Sequence, residues 1–456
     1  MSAETKKTIT DNTVDPDILT YTVGDDPILD LRLAVWDCMG TAAHVTMLSE
    51  MKLPRPVVTP EEAASVRKEL GEIAAAAAKG DFTIDLEDQD VHMAVERMLT
   101  EKLGDLGKKI HTGRSRNDQV AVDVRLHMKD EVLETGKELV GLAKALVEFG
   151  EKAGMIPLVG RTHLQPAMPS SVAVWATGHA EMILDQLENL QAAYRLIDVN
   201  PLGSAAGYGV PLPLNRARTT ELLGFRRTIH NVFGASMARG ECEAALLSAL
   251  ANLMAVLSRL AEDLILFSMP EFSYFKLPRA YCTGSSIMPQ KFNPDVLELV
   301  RSKAAEVLGL QTSALSLLHA MPGGYNRDLQ DCKRLYMRGL DVTRTTLRIL
   351  AKVVSGVTVN EQACRAGFTP GVFATDVALR QVAAGTPWRD AYHDVRDHLE
   401  RLEGEDPDVA VAAKTHEGTT GGLDFAVYHA RLDEELESLE ARARAFAACR
   451  ESLLNG

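Results

Sequence analysis

Residues 240–269 read GECEAALLSALANLMAVLSRLAEDLILFSM, and this stretch decides the kind of protein the chain encodes. Ala244, Ala245, Leu246 and Leu247, and later Leu264, Ile265, Leu266 and Phe267, place apolar side chains on every side of a helix. A helix that is apolar on most sides must be buried on most sides. It therefore belongs at the centre of a bundle or in a subunit interface. No run of eighteen apolar residues occurs anywhere, so no membrane span is expected.

Long helical patterns flank this stretch on both sides. One runs from Val120 to about Ala153, one from Ser170 to about Val199, one from Pro294 to about Ala320, and one ends near Val354. Alternating strand-like segments are nearly absent, so the spacing predicts an all-α fold with an elongated long-helix bundle over residues 112–357. Residues 1–111 read as a smaller N-terminal helical domain. Its first thirty residues are polar, carry Pro16 and Pro27, and suggest an extended arm. Thr59-Pro60-Glu61-Glu62 then gives a cap, a proline and acids for a helix to about Lys79. Beyond 358 the sequence is charged and broken by Pro370, Pro387 and Pro407, which predicts a small separate helical domain over 358–456.

The 456 residues are 46% hydrophobic and 25% charged, enough for a large core. A net charge of -14, with no Lys/Arg-rich run, argues against a nucleic-acid partner. The polar N-terminus lacks the apolar stretch of a signal peptide. The six cysteines form no CxxC pair and read as free thiols of a cytoplasmic protein. There is no HExxH, P-loop, GxSxG or Cys/His spacing, so neither a metal nor another cofactor is expected.

The chemistry must then come from the polar loops between the helices. Thr283-Gly284-Ser285-Ser286-Ile287-Met288-Pro289-Gln290-Lys291-Phe292-Asn293-Pro294-Asp295 sets two hydroxyls, a cation and an amide between two prolines. His111-Thr112-Gly113-Arg114-Ser115-Arg116-Asn117-Asp118-Gln119 offers two guanidinium groups around a glycine. Gly160-Arg161-Thr162-His163-Leu164-Gln165-Pro166 and Gly323-Gly324-Tyr325-Asn326-Arg327-Asp328-Leu329-Gln330 complete the set. A plain solvated loop has no need of such clustering. Cations and amides bind carboxylates; a base removes a proton beside one of them, and the charge that develops must be held in place. The partner expected from this inventory is a small polycarboxylate. A serine is too weak an acid to act as a base except as an alkoxide. Lys291 and loop N–H groups could support that form in a site closed from water. His163 could supply the matching acid or position the substrate.

These four motifs, in this order, resemble the fumarase/aspartase superfamily and the argininosuccinate lyases in particular. The resemblance covers roughly residues 30–390. It implies a cofactor-free β-elimination across a C–N bond, releasing fumarate and arginine. It also implies a homotetramer in which three subunits build each active site. Matched position by position, Ser285 is the base that takes the Cβ proton, assisted by Lys291 and Asn293. Glu298 matches the carboxylate that pairs with His163, which would help deliver a proton to the leaving nitrogen. Ser115, Arg116, Asn117 and Thr162 match substrate contacts. Tyr325, Gln330 and Lys333 match residues near the two ends of the substrate, and Asp90 and His92 match the contribution of the first domain. Arg239 and Thr41 fall on further substrate-binding positions.

The match has departures. Phe292 stands where the family usually has a second lysine, Met168 replaces a glutamine, and Thr41 replaces a serine. Cys332 replaces an acid, and Ala238 leaves Arg239 without its usual acidic neighbour. These changes leave two alternatives open. One is a sister lyase acting on another N-succinyl or amino-succinate compound. The other is a silent structural relative of the δ-crystallin kind.

Overall fold

A computed structural model of the chain describes residues 14–455. The central element is the helix α7 announced by the sequence; the elements that precede it set up its surroundings. After two short helical segments, taken up below, come α1 (Ala34–Glu50), α2 (Pro60–Lys79) and α3 (Val91–Leu103). Thr59 and Glu62 form a reciprocal cap at the start of α2, and Gly80 ends it in the left-handed conformation. The 38-residue helix α4 (Arg116–Ala153) follows. Next come strands β1 (Pro157–Thr162) and β2 (Gln165–Ser171), and helices α5 (Val172–Leu184) and α6 (Gln186–Ile197).

Helix α7 (Glu241–Ser268) packs along α8 (Asp295–Leu318), α6 and α9 (Cys332–Gly356), as its all-round apolarity requires. Leu246, Leu247, Leu250, Leu253, Met254, Leu257 and Leu260 are all fully buried. By length and hydropathy alone α7 could cross a membrane, but 61% of that window is buried inside the protein. Gly240, at φ +83°, opens the helix. A Cβ there would lie 2.7 Å from Leu318 and 2.8 Å from Leu329, so only glycine lets α7 start this close to its neighbours. Polar ties cross the bundle as well. Arg344 on α9 bridges Glu131 and Glu138 on α4 at 2.7 and 2.9 Å.

Four sequence expectations change. The described part of the arm is not extended: Pro16–Val23 and Asp26–Leu29 are short helices. Their prolines lie in the first turn, where a missing N–H costs nothing, and Asp15 caps the first of them. Residues 1–13 of the expected arm lie outside the described residues. The loop at 160–166 is the tip of an antiparallel hairpin, β1 with β2. Prolines and a register shift at Gly160 and Arg161 had hidden its alternation. The single helix expected from Ser170 begins at Val172, where the Ser171 hydroxyl caps it, and it breaks at Asp185 into α5 and α6.

The stretch 358–456 also does not stand apart as one unit. The last helix, α10 (Phe425–Leu454), returns to pack on α4, α1 and α2. Phe446 stacks on Trp36 with centroids 5.5 Å apart. Leu439 lies so close to Gly136 that a Cβ there would meet it at 2.9 Å. Among the described residues, only a small cluster of Ala378, Ala391, Val395 and Leu402 forms a separate core.

Candidate active site

The ends of α3, α4 and α9 converge on one cleft of about 140 Å³. At the start of α4 the Ser115 hydroxyl accepts from Asn117 N at 3.3 Å, and Asp118 accepts from Ser115 N at 2.8 Å. This reciprocal cap sets Arg116 and Asn117 on the first turn, where both line the cleft. The second oxygen of Asp118 accepts from Gly203 N and Ala205 N, each at 2.9 Å, and so ties the glycine-rich 200–209 turn to the same point. Asp90 caps α3 through Met93 N at 3.0 Å and pairs with Arg116 Nε at 3.2 Å. Arg239 lies over the Tyr325 ring, 5.1 Å from its centroid. Gln330 is held by the carbonyls of Thr22 and Val23 and accepts from Arg327 Nε at 3.0 Å.

The cleft thus gathers Asp90, Arg116, Asn117, Arg239, Tyr325, Gln330 and Lys333 from the residues the sequence nominates. It also holds Arg327, which the 323–330 motif includes without a role of its own, and Asp26, Asp30 and Gln89, to which the sequence assigns no role in the site. Lys333 is buried, pairing with Asp26 at 2.9 Å and with Asp30. Burial alone would favour its neutral form, but the two carboxylates turn the net shift upward and keep it charged. The available signal for the two acids is their spacing of four, obscured by a polar, proline-containing segment that suggests an extended arm. Two buried guanidinium atoms in the cleft residues, Arg116 Nη2 and Arg239 Nε, find no acceptor among the described residues. A buried donor without a partner is costly, and a ligand carboxylate would satisfy it.

Two nominated residues sit behind the cleft rather than in it. Thr41 is fully buried and accepts from Arg114 Nη1 at 2.9 Å. His92 is buried between Asp37, 2.7 Å from its Nδ1, and Asp123 at 3.4 Å. Burial disfavours its charge, but the Asp37 hydrogen bond and the charges of Asp37, Asp90 and Asp123 outweigh that and raise its pKa to about 9. Both residues therefore correct the expectation of direct substrate contact within this chain: helix packing on every side removes them from the surface. Ser115 contributes through its cap.

Most of the remaining nominees belong to two other segments, neither of which lines this cleft. Thr162 and His163 are exposed at the tip of the β1–β2 hairpin, where His163 and Leu164 both adopt positive φ, 54° and 61°. Ser285, Lys291 and Asn293 belong to a loop whose base is the short pair β3 (Thr283–Gly284) and β4 (Phe292–Asn293). The Ser285 hydroxyl accepts from Met288 N at 3.0 Å and Ile287 N at 3.3 Å. Two amide dipoles aimed at one oxygen favour negative charge there. Glu298 is exposed on the first turn of α8, and no ion pair joins it to His163 among the described residues. One chain thus carries the expected residues as three parts: a cleft, a hairpin tip and a serine loop.

A family model described as "Lyase" matches residues 25–309. The argininosuccinate lyase of Parabacteroides distasonis is 42% identical over 410 residues, 90% of this chain and 91% of that protein. Among solved structures, an EDDS lyase in complex with formate superimposes with a TM-score of 0.80 at 24% identity, covering 97% of this chain and 95% of that one. A fumarate lyase:delta crystallin from Brucella melitensis gives 0.67 at 20% identity, covering 95% and 94%. These two likenesses establish the fold, an all-α fumarase/aspartase-type bundle. Identity of this depth, spread over nine-tenths of both sequences, establishes more: the chain belongs to the argininosuccinate lyase family.

Proposed function

We infer that the protein is a carbon–nitrogen lyase that converts argininosuccinate reversibly to arginine and fumarate, in the cytoplasm, as a step of arginine biosynthesis. The cleft carries this reading: three carboxylates and four cations converge there, and two buried guanidinium donors lack partners among the described residues. A substrate with carboxylates at one end and a guanidinium at the other meets both kinds of group.

In the proposed reaction Ser285, as an alkoxide supported by the N–H groups of Ile287 and Met288, takes the Cβ proton. The C–H electron pair moves first toward the neighbouring carboxylate, where Lys291 and Asn293 hold the charge. It then forms the C=C bond as the C–N bond breaks. The nitrogen leaves with the C–N bonding pair and takes a proton from an acid that His163 and Glu298 help supply. Thr162, Asn117 and Arg116 orient the succinyl carboxylates. None of these steps calls on a cofactor.

Neither the hairpin tip nor the serine loop lines the cleft, which supports assembly of each active site from several subunits of a homotetramer. The exposed leucines of α8, Leu299, Leu308 and Leu315, offer surface for such an assembly. The test is direct. Argininosuccinate is added to the purified protein, and fumarate is followed by its ultraviolet absorbance. No fumarate from a folded oligomer would overturn this reading. Release of fumarate from a different N-succinyl compound would instead support the sister-lyase alternative, which the Phe292 and Ala238 departures favour.

A further inference from the structure

The Ser285 loop is fastened at one end and open at the other. Phe292 pairs across the short ladder with Gly284, the residue just before Ser285. Its ring, 43% exposed, lies under the guanidinium of Arg279, which comes from the segment leading into the loop. Thr283 bonds to Asp295, and Asn293 Nδ2 reaches Thr283 Oγ1 at 3.5 Å, so three further groups gather at the same stem. The tip differs: Ile287 is 82% exposed, and residues 286–291 are all exposed.

We propose that the Arg279–Phe292 stack is a latch that fixes the stem of the serine loop, which makes both of them positioning residues for Ser285. A cation over an aromatic face is attracted by the ring quadrupole. The lysine that the resemblance leads one to expect at 292 would instead set a second cation beside Arg279 and push the stem open. Phe292 therefore replaces a repulsive pair with an attractive one at the point where the loop pivots. The latch confines movement to residues 285–291, so the loop can close on a substrate without losing the register that aims Ser285. The link to Ser285 catalysis rests on the function proposed above; the latch itself rests only on the stem.

Hydrogen exchange of the amides in residues 284–292 tests the latch on the full-length oligomer. Phe292→Leu and Arg279→Gln should each speed exchange roughly twofold to fivefold, the range of an exposed cation–π contact. Phe292→Tyr, which keeps the ring, should match the parent. The double variant should exchange no faster than the faster single variant, because both substitutions remove one contact. kcat for fumarate release should fall in step while the thermal midpoint stays put. Additive effects, or exchange unchanged in either single variant, would overturn the latch. If exchange shifts as expected but no substrate yields fumarate, the latch stands and the proposed reaction falls.

Discussion

The Nδ1 of His92 lies 2.7 Å from a carboxylate oxygen of Asp37, and neither side chain is more than 2% exposed. The folded protein holds this proton more tightly than the unfolded chain, because the pKa rises from 6.5 to about 9. The stabilisation is therefore complete below pH 6.5 and is lost as pH rises through about 9. Buried Asp123, raised by burial and then by Asp37, acts in the same direction. A shift of this size corresponds to about 3 kcal/mol. Calorimetry at pH 6.5 and 9.5 should show the parent losing thermal midpoint and His92→Gln losing much less. Equal slopes would refute the assignment.

His127 sets the opposite limb. Burial, then the charge of Arg32, pushes its pKa down to about 3, and its Nδ1 lies 3.2 Å from the Tyr336 hydroxyl. Unfolding lets it take a proton below pH 6.5, so stability should fall as pH drops from 6.5 toward 3. His127→Gln should flatten that fall in a pH series of thermal midpoints, even though it lowers the midpoint at pH 7. An acid limb left unaltered would remove His127 as its cause.

Ser285→Ala should lower fumarate release by about 10²- to 10⁴-fold, the usual share of a general base. The side chain is only half-buried and its partners are two loop amides, so the thermal midpoint should barely move. Activity equal to the parent's would disprove the base assignment.

The division of the site into three parts predicts complementation. Ser285→Ala leaves an intact cleft, and Asn117→Ala leaves an intact serine loop. Each alone should be nearly inactive. Co-expression should recover part of the parental rate, because mixed oligomers contain some sites free of both substitutions. Mixtures no more active than their components would place each site within a single chain.

Lys333 is 2% exposed and faces Asp26 and Asp30. Lys333→Met leaves buried Asp30 and half-buried Asp26 without their cation and should cost about 3–5 kcal/mol. Adding Asp30→Asn should restore part of the loss in a urea titration. An uncharged variant as stable as the parent would show that the acids keep other partners.

Much of the fold was legible in the sequence because the helices are long. Periodicity over the 38 residues of α4 or the 28 of α7 leaves little room for error. The short elements were not legible. Pro16 and Pro27 are breakers in a helix interior and starters in a first turn, and the sequence alone does not say which applies. The site was readable as residue types but not as placement. Asp26 and Asp30 became visible only when Lys333 met them, and His92 and Thr41 matched a motif while lying under it. That Ser285 does not line the cleft follows from no residue type; only the resemblance, with its site divided among subunits, leads one to expect it.

The hairpin tip has a bearing on engineering. A two-residue turn with both residues at positive φ is the geometry that Asn-Gly adopts without cost, yet positions 163 and 164 hold histidine and leucine. A stability screen would therefore select Asn-Gly at these two positions and record a gain in melting temperature. The same change would erase the imidazole. Thermostabilised versions of this protein are best sought in the bundle and on its outer helices, with positions 163 and 164 held fixed.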